Sequence, residues 1–396
     1  MKVIFLSQRV PYPPDRGDRI TTHHFLQHLL DSGADVRVGC LAEEDQDETS
    51  IEVLRGSCRE VCAPRINRSL RRWTCMRGLL SGAPLTTVFF GHRTLQKTVD
   101  RWVAEDPPDL IYVYSSSMAQ YALHHSIGFR FMQFAELDSD KWQQYIAHKW
   151  GPAAWIYRRE AVRLLRFETL VARTFDTSAV VSPVEKTLFM EKIPDVTPVV
   201  LPNGVDVDHF QTRGEDRREP HTVIFTGVMD YEPNILAVIW FVEQCWPTIR
   251  AAVPDAKFMI VGSKPVRTVR RLDGSEGIHV TGRVPEIPPL MDRASVAVAP
   301  LQLCRGVQNK VLEAMSASLP VVASPQAVQG LGQPGEDILQ IAESPADTAQ
   351  SVVALLTDAT GARRMGSNAA RWVREHFRWE NAFATFDSVI GIGSGS

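Results

Sequence analysis

Long hydrophobic stretches are missing from this chain of 396 residues. The longest apolar runs, such as Val3 to Leu6 and Ser295 to Pro300, are strand-sized, whereas a membrane-spanning helix needs about 20 apolar residues. The first residues carry neither a basic stretch nor a long apolar segment, so no signal peptide is expected. Cysteine is sparse. Cys40, Cys58, Cys62, Cys75, Cys245 and Cys304 are scattered, and the close pair Cys58-x3-Cys62 fits neither a disulfide framework nor a zinc pattern. Reduced thiols in a cytoplasmic chain are expected. An excess of one charge is lacking too: 43 Lys+Arg face 46 Asp+Glu, a net of −3, which gives no reason to expect nucleic acid. No Gly-x-Ser-x-Gly elbow, Walker loop or Gly-x-Gly-x-x-Gly follows the first strand of either half. That speaks against a serine hydrolase, a P-loop enzyme and a nicotinamide dehydrogenase.

What is present is an ordinary globular composition, 44% hydrophobic and 22% charged, in a chain long enough for two domains. Short β-branched runs alternate with helical patterns: 2–7, 36–40, 109–114, 129–137 and 178–182, then 222–226, 256–261, 278–281, 295–300 and 320–324. A helix is expected over 19–32, ending at Gly33, and others over 234–249 and 309–318. This alternation predicts parallel βαβ units in two doubly wound α/β domains, whose ligands bind at the carboxyl ends of the strands. The polar stretch 212–220 marks the restart. Domains are expected over 1–200 and 201–376, with a last helix over 377–392.

One local absence stands out against the balanced total. Residues 61–99 contain no Asp or Glu but carry Arg65, Arg68, Arg71, Arg72, Arg77, Arg93 and Lys97, interleaved with Leu70, Trp73, Met76, Leu79, Leu80, Phe89 and Phe90. Such a segment suits an anionic membrane surface, or equally a solvated helix packed by its apolar side.

The richest motif runs from Ala299 to Ser324. A strand ends at Pro300, a loop carries Arg305-Gly306, and a helix opens near Gln308 or Asn309. Amides at a helix start attract anions, Gly306 allows close approach, and Lys310 and Glu313 share one side of the helix. Phosphate beside the lysine and ribose hydroxyls on the carboxylate would make a nucleotide diphosphate cradle. An ordinary capped helix with a surface Lys–Glu pair uses the same residues.

In the first half, Glu136-Leu-Asp138-Ser-Asp140 follows a strand. Asp138 or Glu136 can orient an acceptor hydroxyl or stabilise a cationic centre, or cap a helix. Asp138-x-Asp140 also has the spacing of a metal-gripping pair, as does Asp206-x-Asp208. Arg16, Asp18 and Arg19 flank Gly17 and could touch acceptor or donor phosphate, or cap the first helix. Trp142 and Tyr145 can stack on a sugar or pack locally. His23, His24 and His28 read as helix-surface or core histidines. Arg158, Arg159, Arg163 and Arg166 with Glu160 and Glu168 read as solvated i,i+4 pairs.

Together, Leu201-Pro-Asn-Gly-Val-Asp206, Phe225-Thr-Gly227, Ile260-Val-Gly262, Val280-Thr-Gly-Arg-Val-Pro285, Asn309-Lys-Val-Leu-Glu-Ala-Met315 and Leu319-Pro-Val-Val322 resemble the signature of glycosyltransferase family 4. Pro11-Tyr-Pro-Pro-Asp-Arg-Gly17 and Asp138 to Tyr145 resemble its subgroup associated with exopolysaccharide and PEP-CTERM exosortase loci. The resemblance implies a GT-B fold, two Rossmann-like domains facing a cleft with the last helix crossing back to the first domain. It implies retaining, metal-independent transfer of a sugar from a UDP- or GDP-linked donor, a co-substrate rather than a cofactor, to a glycan or polyprenyl-linked acceptor at the inner face of the cell membrane.

Carried over by position, Glu313 would hold the ribose, the turn at Arg283 and Val284 the base, and Gly17 would approach the donor phosphate. Gly227, Gly306, Val307, Gln308 and Asn309 would complete the donor site, and Arg16, Asp18 and Trp142 would meet the acceptor. Two departures stand out. The family's first acid of Glu-x7-Glu falls on Arg305, and Val228 and Pro233 replace two phosphate-binding cations. A relocated clamp of Arg305 and Lys310 is the expected compensation, stabilising the leaving diphosphate; Arg305 could instead read a uronic acid carboxylate. A nucleotide-sugar epimerase or hydrolase on the same fold would act on donor alone. A non-catalytic binding partner would give no nucleotide-induced thermal shift.

Overall fold

The structure, a computed structural model, describes residues 1–14, 16–45, 47–79, 82–146, 150–304, 307–332 and 334–391. The chain divides into two compact units: unit 1, Met1–Leu201 with the chain from Phe383 onward, and unit 2, Pro202–Ala382.

In unit 1, seven parallel strands are β1 (Lys2–Leu6), β2 (Asp35–Gly39), β3 (Glu60–Cys62), β4 (Leu110–Tyr114), β5 (Phe129–Ala135), β6 (Thr177–Val180) and β7 (Val199–Val200), in the order β3-β2-β1-β4-β5-β6-β7. Register sorts the side chains. Ile4, Leu6, Ile111, Val113, Met132 and Phe134 enter one core. Phe5, Tyr112 and Phe131 lie in register on the opposite face and stack at 4.5 and 5.7 Å between centroids. Phe25 of the helix Gly17–Asp31 stacks on Tyr112 of that ladder, and Phe386 of the last helix, Trp379–Ile390, closes over Tyr112, Phe131 and Phe25 edge to face. Cross-strand aromatic pairing thus gives the terminal helix its seat.

The division between units falls inside this last helix rather than at residue 377. Trp379 lies against Gly204 and Arg378 bridges to Val205, whereas Phe383 and Phe386 pack on Phe25. His28 stacks on Phe383 at 4.1 Å and meets Asp387 at 2.9 Å, and His23 reaches the Pro11 carbonyl. These histidines serve the fold.

Unit 2 holds β8 (Thr222–Thr226), β9 (Lys257–Val261), β10 (Ile278–Gly282), β11 (Val296–Ala299), β12 (Val321–Ala323) and β13 (Gln340–Ile341), ordered β10-β9-β8-β11-β12-β13 and all parallel. Strand order reverses between β1 and β4 and between β8 and β11. The carboxyl ends there are where such sheets bind ligands.

Residues 61–99 do not form one amphipathic helix. They contain the helices Arg68–Gly78 and Leu85–Phe90 and the start of Arg93–Glu105. Trp73 is 69% exposed, whereas Phe89 and Phe90 pack on the core and Arg65 pairs with Asp45 and Glu48. The side chains of Leu70, Arg68, Arg72, Met76 and Arg77, and all of Leu80, lie outside the described set. Among the described residues, no helix is long and apolar enough to cross a membrane.

Candidate functional site

At the switch point of unit 2, the helix Asn309–Ser316 follows β11. Val311, Leu312, Ala314 and Met315 bury into the core, so the helical period leaves Lys310 and Glu313 on the same flank, half-buried and one turn apart. Lys310 Nζ donates to Asn234 Oδ1 at 2.5 Å and lies 4.4 Å from the centre of the Phe225 ring. Asn234, in the helix Glu232–Trp240, donates its own Nδ2 to the Val228 carbonyl at 2.9 Å. The glycine turn after β8 therefore fixes the amide that fixes the lysine. A void of about 10 Å³ beneath Lys310, lined by Thr226, Met291 and Ala314 among others, has room for at most one water.

Burial dominates the electrostatics here. It pushes the Lys310 ammonium down to about 8, with Glu313 and Cys304 opposing, and pushes the Glu313 carboxyl up to about 7, with Lys310 opposing. Burial likewise raises the Cys304 thiol to about 12, so it is no nucleophile near neutral pH.

Arg305 and Gly306 lie outside the described residues. Val307 packs against the core, and Gln308, in extended backbone, precedes the helix. Arg283, exposed, and Val284, partly buried, follow β10.

In unit 1, Asp138 opens the helix Asp138–Tyr145 and accepts Ser116 Oγ at 3.1 Å. Burial pushes its carboxyl up to about 6; Glu136 adds to this while Lys141 and Ser116 oppose. Glu136 receives Lys141 Nζ at 3.0 Å. Asp140 turns away to Gln144 and Lys192, Asp206 caps His209 and Asp208 pairs with Arg378.

Beneath Asp138 lies a carboxyl that the sequence reading misassigned. Glu168 is fully buried, accepts the Ser139 amide at 3.3 Å, and is held well above the usual range by burial and by the charge of Asp138. Glu160 is also fully buried. It accepts Leu85 N, Thr86 N and Thr86 Oγ1 at 2.7 to 2.8 Å. Neither acid makes the solvated helix pair expected of it, because each satisfies the amides of another helix's first turn.

Gly17 begins the first helix, with open space where a side chain would stand. Asp18 binds Arg9 and lies 3.2 Å from Arg16, while Arg9 also reaches Glu43 at 3.2 Å. Arg19 is 2% exposed and locked to Asp47 at 2.7 Å, which makes it a structural ion pair. Trp142 meets Tyr157 edge to face at 4.8 Å, so local packing already engages the ring.

Asn234, Phe225, Arg9, Ser116 and the burial of Glu168 were not found from sequence. Their partners are distant in the chain, and no local spacing signals them.

Residues 220–358 match the family model described as Glycosyl transferases group 1. A relative from Klebsiella pneumoniae, an uncharacterized 44.6 kDa protein in the cps region, is 22% identical over 97% of this chain and 98% of its own. Sucrose-phosphate synthase from Thermosynechococcus elongatus superposes with a TM-score of 0.72 at 17% identity over all of both chains. Anabaena HepE in complex with UDP superposes with a TM-score of 0.71 at 15% identity, over 99% of this chain and 100% of that one. The chain has the GT-B fold, and its second unit carries the match to the glycosyl transferases.

Proposed function

We propose that this chain is a retaining, metal-independent glycosyltransferase that moves a sugar from a nucleotide diphosphate donor to a hydroxyl of a glycan or lipid-linked acceptor. The observation that carries the reading is the Lys310–Glu313 pair at the switch point of unit 2, within the stretch matched to the glycosyl transferases. Burial weakens the hold of both groups on their charge, bringing the Lys310 ammonium down to about 8 and the Glu313 carboxyl up to about 7. A diphosphate beside Lys310 would strengthen the ammonium's hold on its proton, and ribose hydroxyls would satisfy the Glu313 carboxylate. The UDP bound by HepE supports a uridine donor.

In the reaction the bond from the anomeric carbon to the diphosphate breaks and a bond to the acceptor oxygen forms. The acceptor proton passes to the departing phosphate. Lys310 and Arg305 stabilise the charge that develops on the diphosphate, and Asp138 orients the acceptor hydroxyl. The relative in a cps region supports a role in surface polysaccharide assembly, and exposed Trp73 supports work at a membrane surface.

A thermal-shift panel of UDP, GDP, ADP and CMP with their sugars tests the reading. A ligand at about 100 times its Kd adds roughly 2.7 kcal/mol. Silence from all four nucleotides would overturn the donor site, and turnover of donor without acceptor would favour an epimerase or hydrolase.

A further inference from the structure

Unit 1 contains an open surface pocket of about 560 Å³ whose walls include Arg71, His92, Arg93, Gln96, Gln120 and Tyr121. That volume falls among small-ligand sites, which occupy about 300–1,000 Å³. Among the described residues, no carboxylate is part of the wall. Among the described residues, the guanidinium groups of Arg71 and Arg93 have no hydrogen-bond or ion-pair partner, whereas Arg9, Arg19, Arg37, Arg59, Arg65 and Arg101 of the same unit all pair with acids.

The rest of the wall is built and held. Tyr121 Oη donates to the Phe90 carbonyl at 2.6 Å and accepts the His92 amide at 2.7 Å. Gln120 donates to the Thr87 and Ser117 carbonyls at 3.1 and 2.7 Å. Gln96 reaches Asp100, whose same oxygen is covered by His124 and His125 at 2.9 and 3.0 Å. His92 Nδ1 accepts the Thr94 amide at 3.2 Å, which leaves Nε2 protonated and free to donate. Gln120 and Tyr121 belong to the short helix Ser116–Tyr121, whose first residue holds Asp138. The cavity and Asp138 thus share one element after β4.

We propose that this cavity binds a phosphate group, as a phosphomonoester or diphosphate carried by the acceptor. Two guanidinium forks and an imidazole N–H offer more donors than a carboxylate has oxygens to accept, and they match the several oxygens of a phosphate. That the phosphate belongs to an acceptor rests on the glycosyl-transfer reading; phosphate binding itself does not.

Calorimetric titration of the full chain with inorganic pyrophosphate, in excess UDP, tests the site. Arg71→Gln with Arg93→Gln weakens pyrophosphate binding at least tenfold and leaves the UDP thermal shift and the unliganded melting temperature unchanged. Gln120→Glu, which adds a negative charge without removing a cation, weakens it likewise. A second arm uses flotation with phosphatidic acid vesicles against phosphatidylcholine vesicles. Arginine-dependent binding to the acidic vesicles alone assigns the phosphate to a lipid headgroup, and arginine-dependent pyrophosphate binding assigns it to a soluble ester. Unchanged binding in both variants, or no binding of either probe, overturns the site. Should UDP give no shift while arginine-dependent pyrophosphate binding persists, the cavity stands and the glycosyl-transfer reading falls.

Discussion

A Cβ on Gly262 would stand 1.6 Å from the carbonyl oxygen of Gly227. The carboxyl ends of β8 and β9 therefore meet glycine against glycine. Gly227 N donates to the Val261 carbonyl at 3.0 Å and Met229 N to the Ser263 carbonyl at 2.8 Å, which secures the approach. The turn so made presents the Val228 carbonyl to Asn234, and Asn234 presents its oxygen to Lys310. A backbone contact thus sets the position of a cation.

Alanine at the two glycines should separate stability from binding. At position 262 the clash is with backbone, so the loss should reach about 3 kcal/mol or more in urea unfolding. At position 227 the new Cβ meets Asn234 Nδ2 at 2.7 Å and Lys310 Nζ at 3.1 Å, both movable side-chain ends. Gly227→Ala also carries the strain of a side chain at φ 159° and should cost about 2 kcal/mol, less than at position 262, while weakening nucleotide binding tenfold or more. Equal effects on both properties in both variants would refute the chain of contacts.

The pH profile of donor use follows from the two buried charges. The Glu313 carboxylate is present above about 7 and the Lys310 ammonium below about 8. kcat/KM for the donor should therefore form a narrow bell between these limbs, since it reports the free enzyme. Lys310→Arg should carry the alkaline limb upward because guanidinium stays charged. Lys310→Ala should lower kcat/KM about 100-fold, the size of a lost charge-stabilising donor. A profile flat from pH 6 to 9 would remove both residues from donor recognition.

Legibility from sequence followed locality. Lys310 and Glu313 share a helical flank within one motif, so spacing alone placed them together. Asn234 is 76 residues from Lys310 and no pattern joins them. The strands Glu60–Cys62, Val199–Val200 and Gln340–Ile341 were not foreseen, because two or three residues carry no periodicity. The helix expected over 234–249 is broken by a wider π turn at Phe241–Cys245, just before the helix carrying Pro247; a proline without an N–H cannot continue the ladder. Glu160 and Glu168 sit where helical spacing suggests surface pairs, and Arg19 where a phosphate contact or a helix cap is expected, but their partners belong to other elements that only the tertiary fold brings near.

Asp138 should act through its carboxylate. With burial holding it near 6, activity should rise through that pH. Asp138→Asn keeps an oxygen for Ser116 and should preserve the fold and the UDP thermal shift. It should lower kcat by about 100-fold, the lower end for a positioned acid or base, and abolish the limb near pH 6. Undiminished kcat in this variant would leave Asp138 as a helix cap alone.

Glu168 gives the sharpest stability test. Its folded carboxyl binds its proton far more tightly than the unfolded chain does, since burial and the Asp138 charge both oppose ionisation. A raised folded pKa contributes stability that is complete below the ordinary carboxyl range and is lost as pH rises toward the folded value. Wild-type protein should thus lose this contribution progressively as pH rises above the ordinary carboxyl range. Glu168→Gln mimics the protonated acid and keeps an oxygen for the Ser139 amide, so it does not titrate. Its advantage over wild type should grow by up to about 1.4 kcal/mol for each pH unit above the ordinary carboxyl range, read from melting temperatures at each pH. A gap that stays constant, or that widens toward acid, would show that Glu168 is not held neutral in the fold.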